Sequence, residues 1–397
     1  MTTTGAIYWD PFDEDIDTSP YEMWRRMRDE APLYRNDKYD FWALSRHADV
    51  HAAHVDPQTY LSGYGTVLEL MGSDMSGTGQ IIFMDGQQHN KMRVLVSKAF
   101  TRSRVAALEV RIRQFSRELL DAQVGGNGFD YVGDFGAQLP SLVISSLLGV
   151  SPGDRPRVLE LINTIFHIEP GVGMMNEVSF TAQIGLHTYL IEQLADRRRT
   201  PRDDLITALT EAELTEDGKA RRLTDKEAAD FGNLLISAGT ETVAKLLGWA
   251  AVVLAEHPGQ RADMAADPSL IPAAVEELLR YEAPSPVQGR TLSRPVELYG
   301  ETLDTGSKIL LLTGAAGRDD RVWDRPEEFD IKRKPEQHVS FGIGAHFCLG
   351  AALARMEGHI ALEETLARFP DWNVDHDNVV RLHTSTVRGY KSVPILV

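Results

Sequence analysis

Residues 338–354 read HVSFGIGAHFCLGAALA and contain Cys348, the only cysteine in 397 residues. A lone cysteine cannot close an intramolecular disulfide, so Cys348 is a buried small hydrophobe, a reactive thiol or a metal ligand. Gly342 and Gly344 disfavour a strand before it. After it, Leu349-Gly350-Ala351-Ala352-Leu353-Ala354 opens a helix with apolar i, i+3, i+4 spacing. That places the sulfur near a helix N-terminus, where backbone N–H groups and the helix dipole lower a thiol's pKa and favour the metal-binding thiolate. Taken alone, such a cysteine is more often core than ligand.

The composition sets the frame. Hydrophobic residues at 43% and charged residues at 25% are ordinary for a globular protein. A formal net charge of −17 argues against nucleic acid or an anionic membrane as the main partner. No apolar run approaches about 18 residues, and the polar N-terminus has no basic or hydrophobic leader region. The expectation is one cytoplasmic domain over residues 1–397, a monomer with no membrane contact. One cysteine fits a reducing compartment.

The whole pattern Phe341-x-x-Gly344-x-His346-x-Cys348-x-Gly350 resembles the haem-binding signature of the cytochrome P450 family. The resemblance implies that Cys348 is the proximal thiolate of haem iron, that Phe341 packs beside the sulfur, and that Gly344 and Gly350 let backbone approach the porphyrin. Thiolate ligation pushes electron density to the iron and favours O–O cleavage.

Further motifs follow in the family's order. His89 and Arg93, four apart, share one helix face, which a solvated helix would also produce. The resemblance makes them partners of a haem propionate, although Gly86, Gln87 and Lys91 replace the prolines and arginine common there. Thr224 and Glu227 offer a capping box, and His257-Pro258 a stop, for the longest helix. Within it, core packing accounts for Leu235 and Leu246. It does not account for a mid-helix Gly239, which costs roughly 1 kcal/mol against alanine, or for Glu241-Thr242 among apolar neighbours. Ala238-Gly239-Thr240-Glu241-Thr242 resembles the family's distal helix motif, in which Ala238 and Gly239 lie at the cofactor, the glycine opens a groove for dioxygen, and Glu241 and Thr242 deliver protons. The competing reading of Thr242 is a hydroxyl bonded back to the preceding turn.

Glu277 and Arg280 have the spacing of a helical ion pair and resemble the family's Glu-x-x-Arg lock. Glu328 stands where many relatives carry arginine, leaving Arg325 or Arg333 as the third member. Gly317 stands where asparagine is usual, which predicts a local loop effect. By family position Arg290 and His346 also bind a propionate, and Pro286, Val287 and Gln288 face substrate.

Residues 62–80, with five glycines and no period, read as a long mobile loop. The corresponding family loop covers the distal side of the haem. It and the stretch Pro170 to Glu177 are expected to shape an apolar pocket. The run DRRRTPRDD reads as a solvated linker.

The resulting expectation is a mainly α fold with a minor β region, one triangular domain holding haem b between the distal long helix and the cysteine-bearing helix. Its activity would be a monooxygenase reaction, hydroxylation or O- or N-demethylation of an apolar small molecule. Dioxygen would supply the oxygen atom, and a ferredoxin or flavodoxin the electrons, docking on Lys91, Lys98, Arg102 and Arg104. A peroxygenase or nitric oxide reductase on the same fold, and a non-catalytic haem protein, are the alternatives. The Glu241-Thr242 pair speaks against the first two, and the lack of any recognisable regulatory or DNA-binding segment against the third.

Overall fold

The computed structural model describes residues 5–97, 102–165, 167, 169, 176–216 and 219–397. Helices dominate, and among the described residues the strands are short, none longer than 5 residues. The element that orders the rest is the helix Asp225–Glu256. Thr224 accepts the Glu227 N–H, and the Glu227 carboxylate reaches back to the Thr224 N–H, which is the capping box read from the sequence. Arg221 grips the same carboxylate through two 2.8 Å bonds. Chiefly through Arg221, the Glu227 carboxyl is held down at about 2.

By length and composition this helix would cross a membrane, yet 72% of its most apolar window is buried inside the protein. It is a core helix. Its second half packs with the helices Ile271–Tyr281 and Ala351–Arg368 in one hydrophobic cluster. Gly358 permits the close approach, because a Cβ there would stand 3.3 Å from Leu246 Cδ2 and 3.2 Å from Val275 Cγ1. The two helices that carry the cysteine and the Glu241-Thr242 motifs are therefore in direct contact.

A five-stranded sheet runs in the order Leu33–Asn36, Phe41–Leu44, Lys308–Leu311, Gln288–Leu292, Tyr60–Leu61. Only the pairing of Lys308–Leu311 with Phe41–Leu44 is parallel. Lys308–Leu311 carries the apolar run Ile-Leu-Leu because both of its faces are covered. Next to it, Arg290 lies opposite Ile309 and is itself buried.

Several sequence expectations need correction. Residues 62–80, read as a loop without period, hold local structure: Leu68–Leu70 and Ser76–Thr78 form 3-10 turns. The Met75 N–H donates to Gly63 O at 2.8 Å and the Gly72 N–H to Tyr64 O at 3.0 Å. Arg197, in the run read as solvated, is fully buried; its Nε donates to Asp204 at 2.9 Å and its Nη2 to Gly149 O at 2.7 Å. Helical spacing explains this, since Arg197 follows Leu190 and Leu194 on the inner face of Glu177–Arg199. Val287 packs in the cluster around Trp24, and a Cβ on Gly314 would stand 2.7 Å from both Pro286 Cβ and Trp24 Cη2. The loop residues 170–175 lie outside the described residues.

Candidate active site

The cysteine loop is shaped by its glycines. Gly342 and Gly344 adopt φ of +65° and +70°, a region that side chains rarely enter. They lead into a 3-10 turn at Gly344–His346, and the Cys348 N–H then donates to Phe341 O at 2.8 Å. The ring of Phe341 lies under the Arg355 guanidinium at 4.6 Å. Arg355 is fixed by Glu276 through bonds of 2.6 and 2.9 Å, and Glu276 also accepts from His338 at 2.9 Å. Burial works against the Glu276 charge, but the His338 and Arg355 bonds prevail and hold its carboxyl at about 2.

The helix Ala351–Arg368 begins just after the cysteine, as predicted. The expected lowering of the thiol pKa is not the net result: burial pushes the Cys348 thiol up. The Gly350 and Ala351 N–H groups, with Arg93 and Arg355, pull only partly the other way. Gly344 does allow a close approach, but to protein backbone, since a Cβ would stand 3.1 Å from His54 O. At Gly350 nothing lies within 4 Å of a Cβ position and φ is an ordinary −85°.

Beside this loop the structure gathers His89, Arg93, Arg290 and His346, and adds His54, which the sequence reading missed. The His89 and His346 rings are 4.2 Å apart. Arg290 is 5% exposed and donates to its neighbour's carbonyl, Gly289 O, at 2.7 Å. Burial pushes it down to about 10, opposed by Asp85. His346 is pushed down to about 3, first by burial and then by Arg290, His89, Arg93 and His54. His54 also falls to about 3, by burial and the field of Arg290, and both of its ring nitrogens are buried without a partner. Arg93 is shifted down by burial and donates to Phe347 O at 2.6 Å. Buried cations and orphaned imidazoles on this scale are costly unless negative charge meets them.

On the long helix, Ala238 is exposed and Gly239 and Thr242 are half-buried, although the residues from Val243 to Leu254 are buried. The Thr242 hydroxyl donates to Ala238 O at 2.9 Å, the back-bonded state that competed with the proton-delivery reading. Gly239 is not forced by crowding: a Cβ there would meet Ile144 at 3.6 Å, an ordinary contact. Glu241 lies 2.8 Å from Lys245 Nζ, and Lys245, itself buried, donates to Tyr390 O at 2.9 Å. Glu241 and Lys245 line a cavity of about 650 Å³ with Gln138, Asn163 and Arg381, and Glu14 and Asp17 also lie on its wall.

The Glu277–Arg280 lock is present and buried, with two 2.7 Å bonds. Its third member is Arg333, whose Nε donates to Glu277 at 3.0 Å, whereas Arg325 pairs with Glu328 on the surface. Arg280 also donates to Gly317 O at 2.7 Å. A Cβ on residue 317 would stand 2.5 Å from Arg280 O, so glycine is required where asparagine was expected.

The cytochrome P450 family profile matches residues 173–389. Cytochrome P450 123 of Mycobacterium tuberculosis is 44% identical over 391 residues, covering 98% of this chain and 96% of its own. The chain belongs to the cytochrome P450 family. Erythromycin C-12 hydroxylase of Saccharopolyspora erythraea is 37% identical over 377 residues, with 93% of this P450 and 92% of that enzyme covered. Among solved structures, the bacillaene polyketide synthase cytochrome P450 PksS of Bacillus subtilis superposes with a TM-score of 0.89 at 32% identity, over 98% of this chain and 99% of that one. This P450 is thus an oxidoreductase, a monooxygenase that works with haem iron, dioxygen, an organic substrate and a redox partner.

The side chains fit that group. A lone thiol stands beside a largely buried set of guanidinium and imidazole donors that, among the described residues, only Asp85 answers with negative charge, at 3.9 Å from His346, which is the chemistry a metal-bearing dicarboxylate needs.

Proposed function

We propose that this P450 holds haem b with Cys348 as iron ligand and adds one oxygen atom from dioxygen to an apolar small molecule, by hydroxylation or O- or N-demethylation. We read it as one cytoplasmic, monomeric domain that draws electrons from a ferredoxin or flavodoxin. The observation that carries the reading is the set of buried His54, His89 and Arg290 with half-buried Arg93 and His346 beside the unpaired thiol of Cys348. Its relationship to an erythromycin hydroxylase supports a natural product as the substrate class.

Arg93 and Arg290 would bind the cofactor's carboxylates through charge-assisted bonds, with His89 and His346 donating beside them. Cys348 would give up its proton on binding iron, and the Gly350 and Ala351 N–H groups would then hold the sulfur's charge. Phe341 packs on that loop, and Gly344 and Gly350 leave it without side-chain bulk. When bound, the haem supplies the dioxygen chemistry. The chain supplies protons and keeps bulk water away. A proton entering through the cavity reaches Glu241, the cavity-wall carboxylate that lies on the long helix next to Thr242. Glu241 passes it to the Thr242 hydroxyl, which must release Ala238 O to hand it on past Ala238 and Gly239.

Electron delivery is assigned to the cationic surface that includes Lys91 and Arg104; Lys98 and the side chain of Arg102 lie outside the described residues. Reversing the charge of Lys91 and Arg104 together should slow electron transfer at low salt, and unchanged rates would count against that surface.

The central test is spectroscopic. The reduced carbonyl complex should show the red-shifted Soret band of a thiolate-ligated haem, and Cys348→His should abolish it; persistence of the band would overturn the reading. Turnover with reductant and dioxygen, but not with peroxide alone, separates the monooxygenase from a peroxygenase.

A further inference from the structure

Asp85 stands between two regions to which the proposed function gives different tasks. Its Oδ1 accepts the Ser62 N–H at 2.9 Å and its Oδ2 the Gly63 N–H at 2.8 Å, which fixes the start of the glycine-rich loop. A Cβ on Gly63 would stand 2.9 Å from that Oδ2, so glycine is what lets both amides reach one carboxylate. On the other side, Asp85 Oδ1 lies 3.9 Å from His346 Nε2, and Ser62 Oγ lies 3.4 Å from the same nitrogen. Asp85 also leads into the helix that carries His89 and Arg93, its carbonyl accepting the His89 N–H at 3.3 Å. Among the described residues it is the carboxylate whose field reaches buried Arg290. One side chain therefore holds the loop, lies beside the imidazole and acts on the guanidinium through its field.

We propose that Asp85 is a positioning residue that couples the 62–80 loop to the cofactor: its two oxygens hold the loop's first amides, while its charge, set against His346 and Arg290, tunes the reduction potential of the bound haem. This rests on the reading that the cationic cluster receives the cofactor's carboxylates. In the loaded protein those carboxylates would meet Arg290, on which Asp85 already acts, which would leave Asp85 as surplus negative charge nearby. Such charge favours the ferric state over the ferrous one, which carries one more electron, and so lowers the potential. A ligand that draws the loop, and Asp85 with it, away from the cluster raises the potential. Loop position and electron acceptance then change together.

The test uses the haem-loaded protein and measures amide hydrogen exchange in the loop and the ferric/ferrous midpoint potential. Asp85→Asn removes the charge and one of the two matched acceptors. It should speed exchange at Ser62 and Gly63 by about tenfold or more, and it should raise the potential. Asp85→Glu keeps the charge but displaces the oxygens, so exchange should quicken while the potential stays near wild type. A loop cap with no further role would quicken exchange in both variants and leave the potential of Asp85→Asn unmoved, which overturns the proposal. Unchanged exchange in both variants overturns it equally. The underlying reading fails separately: if Arg290→Gln loses haem to a scavenger protein no faster than wild type, the cluster is not the carboxylate site, and the proposal falls with it whatever Asp85 does.

Discussion

Lys245 Nζ lies 2.8 Å from Glu241 Oε1 and 2.9 Å from Tyr390 O, so the acid assigned to proton delivery is tied through one buried ammonium to a C-terminal strand. Strand and lysine are closely fitted, for a Cβ on Gly389 would stand 2.8 Å from Lys245 Cδ. Removing one partner of a buried pair strands the other, which typically costs about 3 kcal/mol or more. Lys245→Met should therefore lower the unfolding free energy by roughly that amount. Adding Glu241→Gln to it should cost little more, and a double-mutant cycle by chemical denaturation measures the coupling. Additive losses would mean that the two groups do not depend on each other.

Thr242→Ala separates stability from chemistry. Its hydroxyl donates to Ala238 O within its own helix, so alanine leaves no buried partner stranded, and stability should change by no more than about 0.5 kcal/mol. Haem and ligand binding should persist. Product yield per electron should fall, with the difference appearing as hydrogen peroxide. Fully coupled turnover in this variant would remove Thr242 from the proton path.

The lock makes a paired prediction. Arg333 donates to Glu277, which is fully buried, while Arg325 pairs with Glu328 where both side chains are more than half exposed. Arg333→Gln should cost about 2 kcal/mol as a charged hydrogen bond to a buried carboxylate is lost. Arg325→Gln should stay within about 0.5 kcal/mol because the pair is solvent-screened. Equal effects in thermal unfolding would refute Arg333 as the third member.

Gly317→Asn would restore the residue usual in the family and should nonetheless destabilise this protein by about 2 kcal/mol, within the range for overpacking. The new Cβ would sit 2.5 Å from Arg280 O, a backbone atom that cannot turn aside. A variant as stable as wild type would show that this segment can relax.

What the sequence disclosed was mostly local. Capping box, lock and cysteine-helix start are set by residues a few positions apart, and such spacing reports directly on local geometry. The pair Glu241 and Lys245 carried the same i, i+4 signal and could have been found by it. His54 could not: it belongs to HADVHAAHV with no motif, and only tertiary packing brings its ring within 3.6 Å of a Cβ on Gly342. Asp85's hold on Ser62 and Gly63 was hidden likewise, because a side chain that orders a glycine-rich segment leaves no period in it. The thiol shift ran against expectation because burial outweighed the nearby N–H groups, and burial is a tertiary quantity.

Glu357 gives a pH signature. It is 2% exposed, its Oε2 has no hydrogen-bond partner, and burial alone pushes its carboxyl well above the ordinary carboxylate range. In the folded protein it keeps its proton, while in the unfolded chain it ionises above about pH 4.3. The folded state thus binds more protons than the unfolded one above that pH, so this group's contribution to stability falls as pH rises. The fall can reach about 1.4 kcal/mol per pH unit, and it stops once the folded carboxyl also ionises. Glu357→Gln keeps the shape and cannot ionise, so it should match wild type near pH 4.5 and become progressively more stable than wild type toward pH 8. Parallel stability curves for the two proteins over that interval would show that Glu357 is charged in the fold, with a partner that stabilises it.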